Sequence, residues 1–254
     1  MDARLIAFER LLNIMDNLRE NCPWDKKQTI DSLRYLTIEE VYELSDAIIN
    51  NDLDEIKKEL GDIMLHLVFY AKIATEKKVF DITDVLNGVC EKLIYRHPHI
   101  YGDVKVSSEE DVKANWEKLK LKKGKQSVLQ GVPHSLPAMV KAIRIQEKAR
   151  GIGFDWDNKE QVWEKVEEEL NELKEEVEKK DLQRTQEEFG DLLFSLINYA
   201  RFLRVNPEDA LEKTNKKFIK RFQYMEEKVA INGLEISSLS LSEMDRYWNE
   251  AKSI

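Results

Sequence analysis

The chain has 254 residues, with 40 lysine or arginine and 49 aspartate or glutamate residues, so its formal net charge is −9. The 42% hydrophobic residues suffice for a folded core, and 9 glycines and 5 prolines are too few for a β-sandwich, so a mostly helical fold is favoured. No apolar run approaches the roughly 18 to 20 residues that cross a bilayer, and the acidic balance disfavours direct binding to nucleic-acid polymers.

The first residues and the cysteines favour a cytoplasmic location. Residues 1–5 lead into an amphipathic pattern rather than the apolar core of a signal peptide. Cys22 and Cys90 are the only cysteines of the sequence, and they lack CxxC spacing. We therefore expect a reducing compartment and no membrane partner.

Two helices joined by a short turn are predicted from residue 36 onward. Val41, Leu44 and Ile48 recur at helical spacing, residues 50–52 interrupt the pattern, and a second apolar stripe follows. The short connection makes the two helices antiparallel neighbours. Five acidic residues fall on this hairpin: Glu39, Glu40, Glu43, Glu59 and Asp62.

The same unit occurs twice in the chain. All five acids recur at a constant offset of 129 residues, as Glu168, Glu169, Glu172, Glu188 and Asp191. Glycines and prolines without helical periodicity mark a linker between the copies. We therefore predict an all-α protein with two tandem helical domains, at 1–121 and 138–254, joined by a linker at 122–137. Each domain is expected to pack its helix hairpin into a unit that resembles a four-helix bundle.

The spacing of the acids indicates a metal site in each copy. Glu40 and Glu43 lie three residues apart on one helix, and Glu59 and Asp62 lie three apart on its neighbour, so the two pairs can face each other. Converging carboxylates repel one another without a counter-charge, and hard divalent cations take oxygen ligands. A di-iron centre would use ExxH pairs, which do not occur at these spacings, so Mg²⁺ or Mn²⁺ is favoured over iron. A single such motif is usually a solvated acidic face, but its repetition favours metal binding.

These motifs resemble the MazG family of nucleoside triphosphate pyrophosphohydrolases over essentially the whole chain. EExxE followed by E-[LF]-G-D, together with segments 22–25, 96–99, 153–156 and 190–194, matches the two-copy form of the family. The resemblance implies tandem MazG-type domains in a homodimer that hydrolyses (deoxy)nucleoside triphosphates to the monophosphate and pyrophosphate. It implies Mg²⁺ as the cofactor, with water attacking the α-phosphorus. The implied ligands are Glu169, Glu172, Glu188 and Asp191 in the second copy and Glu40, Glu43, Glu59 and Asp62 in the first, with Glu168 and Glu39 as additional acids.

Basic and aromatic residues are expected to hold the nucleotide. Lys217 and Arg221 lie four apart on one helical face and suit the phosphates, while Trp248 suits the base or the ribose. The counterparts in the first copy are Lys92, Arg96 and Trp116.

The two copies differ beside the predicted ligands. Lys165 lies four residues before Glu169, and Arg184 lies four residues before Glu188. The resemblance also puts phosphate-contacting residues there, whereas the first copy has Leu36 and Glu55. We therefore expect the second copy to be the principal nucleotide site. The first copy is either a weaker site or a structural or regulatory one.

Two other functions are alternatives to a hydrolase that limits aberrant or surplus nucleotides. One is a catalytically silent helical interaction or regulatory module, whose acids form solvated faces or bind a basic protein. The other is a carboxylate-bridged metal oxidase, which would need the histidine ligands that these spacings lack. Metal-dependent stabilisation would separate the hydrolase from the silent module.

Overall fold

The computed structural model describes residues 2–108, 111–112, 115–116, 119 and 127–253. Within these ranges the regular secondary structure is helical and contains no strand, which confirms the all-α prediction. Residues 122–126 of the predicted linker lie outside the described ranges. No described helix is long and apolar enough to cross a membrane.

The chain forms two compact units, residues 1–112 and 113–254. In the first unit the helices are α1 (Ala3–Asn21), α2 (Ile30–Asn50), α3 (Leu53–Glu76), α4 (Ile82–Arg96) and the short α5 (Pro98–Tyr101), with a 3-10 turn at Asp25–Lys27. In the second unit they are α6 (Ala138–Arg150), α7 (Lys159–Lys179), α8 (Leu182–Phe202), α9 (Pro207–Ile231) and α10 (Leu241–Ala251), with a 3-10 turn at Ile236–Ser238.

The same turn connects both predicted hairpins. Asn51, after α2, adopts the left-handed conformation with φ 55°, and the side chain of Asp52 then accepts the Glu55 backbone N–H at 3.1 Å. Lys180, after α7, has φ 58°, and Asp181 accepts the Arg184 backbone N–H at 3.1 Å. A left-handed residue closes one helix and an aspartate N-cap opens the next, so the chain reverses within two residues.

Buried apolar side chains hold each hairpin in place. In the first unit Met15, Leu33, Val68, Phe69 and Ile73 form a core in which α1, α2 and α3 meet. In the second unit Val162 and Val166 of α7, Ile197 of α8, and Met225 and Val229 of α9 are buried. The faces of the hairpin helices that carry the acids are thereby fixed relative to one another.

Candidate metal and nucleotide site

Three carboxylates of the second hairpin converge across its two helices. Glu169 and Glu172 on α7 and Glu188 on α8 each have a carboxylate oxygen within 4.8 Å of the other two. Glu169 is buried, Glu188 is half-buried and Glu172 is exposed, so the group runs from the interior of the unit to its surface. We call these residues the second cluster.

The first hairpin carries the same arrangement. Glu40 and Glu43 on α2 and Glu59 on α3 also have carboxylate oxygens within 4.8 Å of one another. Glu59 is completely buried, and its Oε2 has no hydrogen-bond partner among the described residues. A buried carboxylate oxygen without a donor is costly unless a cation compensates it, so this first cluster fits a metal ion.

Burial and mutual repulsion raise the pKa of at least one carboxyl in each cluster. Burial raises the pKa of Glu40, and the charges of Asp62 and Glu43 raise it further. The pKa of Glu188 is likewise raised, first by burial and then by neighbouring carboxylates that include Glu172 and Asp191. Asp62 and Asp191 therefore act electrostatically on these clusters, although neither belongs to the group of three mutually close oxygens. A divalent cation among these groups would relieve the repulsion and favour the ionised forms.

A lysine supplies counter-charge to each cluster. It lies on the first helix of the hairpin in the second copy and on the second helix in the first copy. In the second cluster Lys165 of α7 lies 2.8 Å from a carboxylate oxygen of both Glu168 and Glu169. In the first, Lys58 of α3 lies 2.7 Å from Glu55 and 3.0 Å from Glu59. Lys58 was not predicted from the sequence, because it does not stand at a position that matches Lys165 or Arg184, where the first copy has Leu36 and Glu55.

The predicted nucleotide residues fall into two groups in the second unit. Arg221 of α9 lies with its guanidinium carbon 5.9 Å from the ring centre of Trp248 on α10, and Phe218 packs on the same ring at 5.0 Å. Lys217 is exposed on α9, one turn before Arg221. Arg184 is on α8 instead, where it pairs with Glu187 at 3.2 Å.

In the first copy, the corresponding residues lie on α4 and after it. Lys92 is exposed on α4, and Arg96 is half-buried at the end of that helix. Trp116 is half-buried in a stretch that is described only at isolated positions. The exposed acids Glu39 and Glu168 stand beside the two clusters on α2 and α7.

A cavity of about 750 Å³ lies between α6, α7 and α8 in the second unit, and Lys165, Glu169 and Asp191 line part of it. We call it the α6–α8 cavity. Its other polar lining residues are Ser127, Gln146, Asp155, Ser195, Asn198 and Arg201. The remaining lining is predominantly apolar and includes Ile145, Ile152, Phe154, Trp156, Val162 and Phe194. The volume lies within the range of about 300 to 1,000 Å³ that is typical of small-molecule sites.

Sequence reasoning did not assign a role to Gln146, Asn198 or Arg201. One signal for Gln146 was available, since it lies four residues after Ala142, on the face of α6 that is buried. A polar residue on such a face needs a specific partner. The pairing of Arg201 with Asp155 had no comparable signal, because the two residues are 46 positions apart.

Comparison with known proteins places these features in a family context. The family model described as "MazG nucleotide pyrophosphohydrolase domain" matches residues 28–101 and 157–225, which include both clusters. The "Nucleoside triphosphate pyrophosphohydrolase/pyrophosphatase MazG" of Thermotoga maritima is 47% identical over 252 residues, covering 97% of this chain and 96% of that protein. The "Nucleoside triphosphate pyrophosphohydrolase" of Escherichia coli K12 is 40% identical over 254 residues, covering 96% and 97%. A crystal structure of a mazG-related protein from Thermotoga maritima is 30% identical and covers 44% of this chain and 98% of its own, with a TM-score of 0.40.

Proposed function

The chain belongs to the MazG family of nucleotide pyrophosphohydrolases, and on that premise we propose that it hydrolyses (deoxy)nucleoside triphosphates to the monophosphate and pyrophosphate with Mg²⁺ as cofactor. It is an enzyme of the nucleoside triphosphate pyrophosphohydrolase class, which acts on acid anhydrides. The observation that carries the proposal is the second cluster, in which buried Glu169 both faces two other carboxylates and lines the α6–α8 cavity.

The ligand set proposed for Mg²⁺ is Glu169, Glu172, Glu188 and Asp191. All four offer hard oxygen ligands, and the pKa of Glu188 is raised first by burial and then by a repulsion that a cation would relieve. A bound Mg²⁺ or Mn²⁺ supplies charge neutralisation on the phosphates and Lewis acidity toward water and phosphoryl oxygens. The first cluster, with Asp62, has the same oxygen donors and is proposed as a second, weaker or regulatory metal site.

The side chains around the second cluster are proposed to bind the phosphates and to orient water. Lys165, held between Glu168 and Glu169, places one ammonium at the border of the carboxylates and the cavity. Glu168 is exposed beside the cluster, so its carboxylate is suited to orient a water molecule for attack on the α-phosphorus. Attack at that atom makes pyrophosphate the leaving group.

Cationic side chains outside the cavity are proposed for the remaining phosphate charge. Lys217 and Arg221 present two cations on consecutive turns of α9, and Arg184 presents a third on α8. Trp248, which packs against Arg221 and Phe218, is proposed to contact the base or the ribose. Lys92, Arg96 and Trp116 are proposed for the same roles in the first copy.

The other expectations from the sequence stay predictions. They are a homodimer, a cytoplasmic location, no binding to nucleic-acid polymers, and domain boundaries at 1–121 and 138–254.

Product analysis tests the proposed reaction. Purified protein is incubated with each NTP and dNTP, with Mg²⁺, with Mn²⁺ or with a chelator, and the monophosphate, diphosphate, phosphate and pyrophosphate are resolved. Monophosphate and pyrophosphate, formed only with metal, are expected. Diphosphate and phosphate would mean cleavage at the γ-phosphorus and would overturn the proposed substrate pose. No turnover of any nucleotide would favour the silent helical module instead.

A further inference from the structure

Gln146 is a buried polar residue that the proposed reaction does not use. It lies on α6, lines the α6–α8 cavity and is only 7% exposed. Its Nε2 donates a hydrogen bond of 2.8 Å to the backbone carbonyl of Phe194 on α8. A carbonyl oxygen can only accept, so this contact fixes the amide orientation, with Oε1 turned away from Phe194. Oε1 is buried and has no hydrogen-bond partner in the described part of the chain.

The neighbouring polar groups of the cavity leave no unpaired charge for a phosphate. The Arg201 guanidinium donates from Nη1 to Asp155 at 2.8 Å, and Nη2 contacts the same carboxylate. Arg201 also donates to Asn198 Oδ1, from Nε at 3.1 Å and from Nη2 at 2.7 Å. Because a guanidinium has no acceptor, these contacts hold Asn198 with its Nδ2 donor group facing away from Arg201.

This part of the cavity therefore offers neutral amide groups between apolar walls. An acceptor on Gln146 repels phosphate oxygens, which are themselves acceptors, but suits the N–H of a heterocycle. A nucleobase has apolar faces that match walls such as Phe194 and Val162, and an edge that carries N–H donors. The carboxylates and Lys165 line the same cavity, so a base bound here belongs to the nucleotide whose phosphates face the second cluster.

We propose that the α6–α8 cavity receives the nucleobase and that Gln146 Oε1 accepts a hydrogen bond from an N–H group on the edge of the base. The inference rests on the proposed function, since it concerns the substrate of that same site. Gln146 is then a specificity-determining residue. Trp248 was expected to contact either the base or the ribose. It is not among the described residues that line the cavity, so a base in the cavity leaves Trp248 to contact the ribose.

The test compares natural nucleotides with analogues that lack the N–H donor. The analogue has the same ring as the best natural substrate but no N–H on its edge: purine riboside triphosphate is compared with ATP or GTP, and pyrimidin-2-one riboside triphosphate is compared with CTP or UTP. The wild-type protein should prefer the natural member in kcat/KM by about 10- to 100-fold, because the analogue leaves the buried oxygen unpaired. In Gln146→Met this preference should fall to within about threefold, because there is no longer an acceptor to leave unpaired.

Gln223→Met is the matched control. Gln223 is exposed on α9 and does not line the cavity, so this variant makes the same chemical change and should keep the wild-type preference. Gln146→Met also leaves the Phe194 carbonyl with its normal bond within α8, so folding should survive. Should circular dichroism show that it does not, Gln146→Leu takes its place.

Two results would overturn the inference: a wild-type protein without preference for the natural nucleotide, or a Gln146→Met variant that retains it in full. Either would leave the proposed hydrolysis intact, since both require turnover. Absence of hydrolysis with every nucleotide would overturn the proposed function and the Gln146 assignment together. A general loss of folding in a variant lowers both rates in a pair and leaves their ratio unchanged, so the ratio separates recognition from stability.

Discussion

Within each carboxylate cluster, chemically identical side chains differ in burial and in electrostatic partners. Glu59 and Glu169 are buried and each touches a lysine, whereas Glu43 and Glu172 stand at the surface. A cation bound here would be positioned by the buried members, because packing restricts their rotamers, and the exposed members could adjust to it. Removal of one carboxylate should therefore affect metal binding more than folding.

Asp191→Asn should lower kcat by about 100- to 1,000-fold, because the amide cannot replace a charged ligand that stabilises the developing charge. Asp191 is exposed, so the helical circular dichroism and melting temperature should change little. Asp62→Asn is the matched change in the first copy and should retain most of the activity. The reverse result, with Asp191→Asn active and Asp62→Asn inactive, would assign catalysis to the first copy. Activity that survives both changes together would refute carboxylate–metal catalysis.

Glu188→Gln should make the metal-free protein more stable near neutral pH. Burial and neighbouring carboxylates raise the pKa of Glu188 above its ordinary 4.5, so the folded state holds this proton more tightly than the unfolded state. Folding stability from this group is therefore lost as the pH rises from about its ordinary pKa through the raised value. Melting curves of wild type and variant should converge below pH 4.5 and diverge above it, with the variant higher.

The same variant should lose activity with Mg²⁺, since the ligand is gone. Glu187→Gln is its control. Glu187 is next in the chain but pairs with Arg184 at 3.2 Å, so removal of its charge should not raise the stability of the folded state. Equal stabilisation by both variants would point to general surface charge rather than repulsion within the second cluster.

At the scale of the helix, local rules account for where the elements begin and end. Asp52 and Asp181 cap the second helix of each hairpin, and Thr29 and Ser32 form a capping box at the start of α2. The end of α6 follows another such rule: Phe154 donates to the Ala149 carbonyl, and Gly153, with φ 88°, donates to that of Arg150. This turn carries Phe154 to the wall of the α6–α8 cavity.

Gly153→Ala should destabilise the protein by about 1 kcal/mol, because a residue with a Cβ is strained at that positive φ. Gly88→Ala is the matched change inside helix α4, where nothing lies within 4 Å of the added Cβ. It should stabilise by about 0.5 to 1 kcal/mol, because alanine is the better helix former. Urea unfolding of the two variants measures both signs. A Gly153→Ala variant as stable as wild type would show that this turn tolerates another conformation.

At the scale of the whole molecule, the chain exposes apolar side chains in ordered stripes. Helix α4 has no buried residue, yet Val85, Val89 and Leu93 lie on one face, and Leu86 lies beside them. Apolar stripes of this kind are typical of surfaces that pack against other helices. A stripe of this kind would be covered in the homodimer that the family resemblance implies.

Light scattering during gel filtration should accordingly give a mass of about 60 kDa, twice the 29.9 kDa of one chain. The value should hold at micromolar concentrations and with or without Mg²⁺. Burial of apolar stripes is favourable by about 25 cal/mol per Å², so a large interface of this composition should persist on dilution. A mass near that of one chain would mean that the α4 stripe remains open to solvent.

The helix hairpins and their repetition could be predicted from the sequence because their causes are local. Apolar periodicity defines each helix, residues such as Asn51-Asp52 end one and start the next, and three-residue spacing puts two acids on one face. The constant offset between the two copies can likewise be read from the sequence without knowing how the helices pack. The prediction that Glu40, Glu43 and Glu59 come together depended only on a short turn between two neighbouring helices.

The tertiary structure alone decided which of these acids is buried, which lysine neutralises each cluster, and what forms the α6–α8 cavity. Gln146 and Phe194 are 48 residues apart, and Arg201 and Asp155 are 46 apart, so no local pattern links them. Their contacts depend on how α6 and the turn after it pack against α8, which follows from the combined burial of side chains on several helices. The sequence by itself determined the carboxylate chemistry, because it lies within one hairpin, and the packing between distant helices determined what surrounds it.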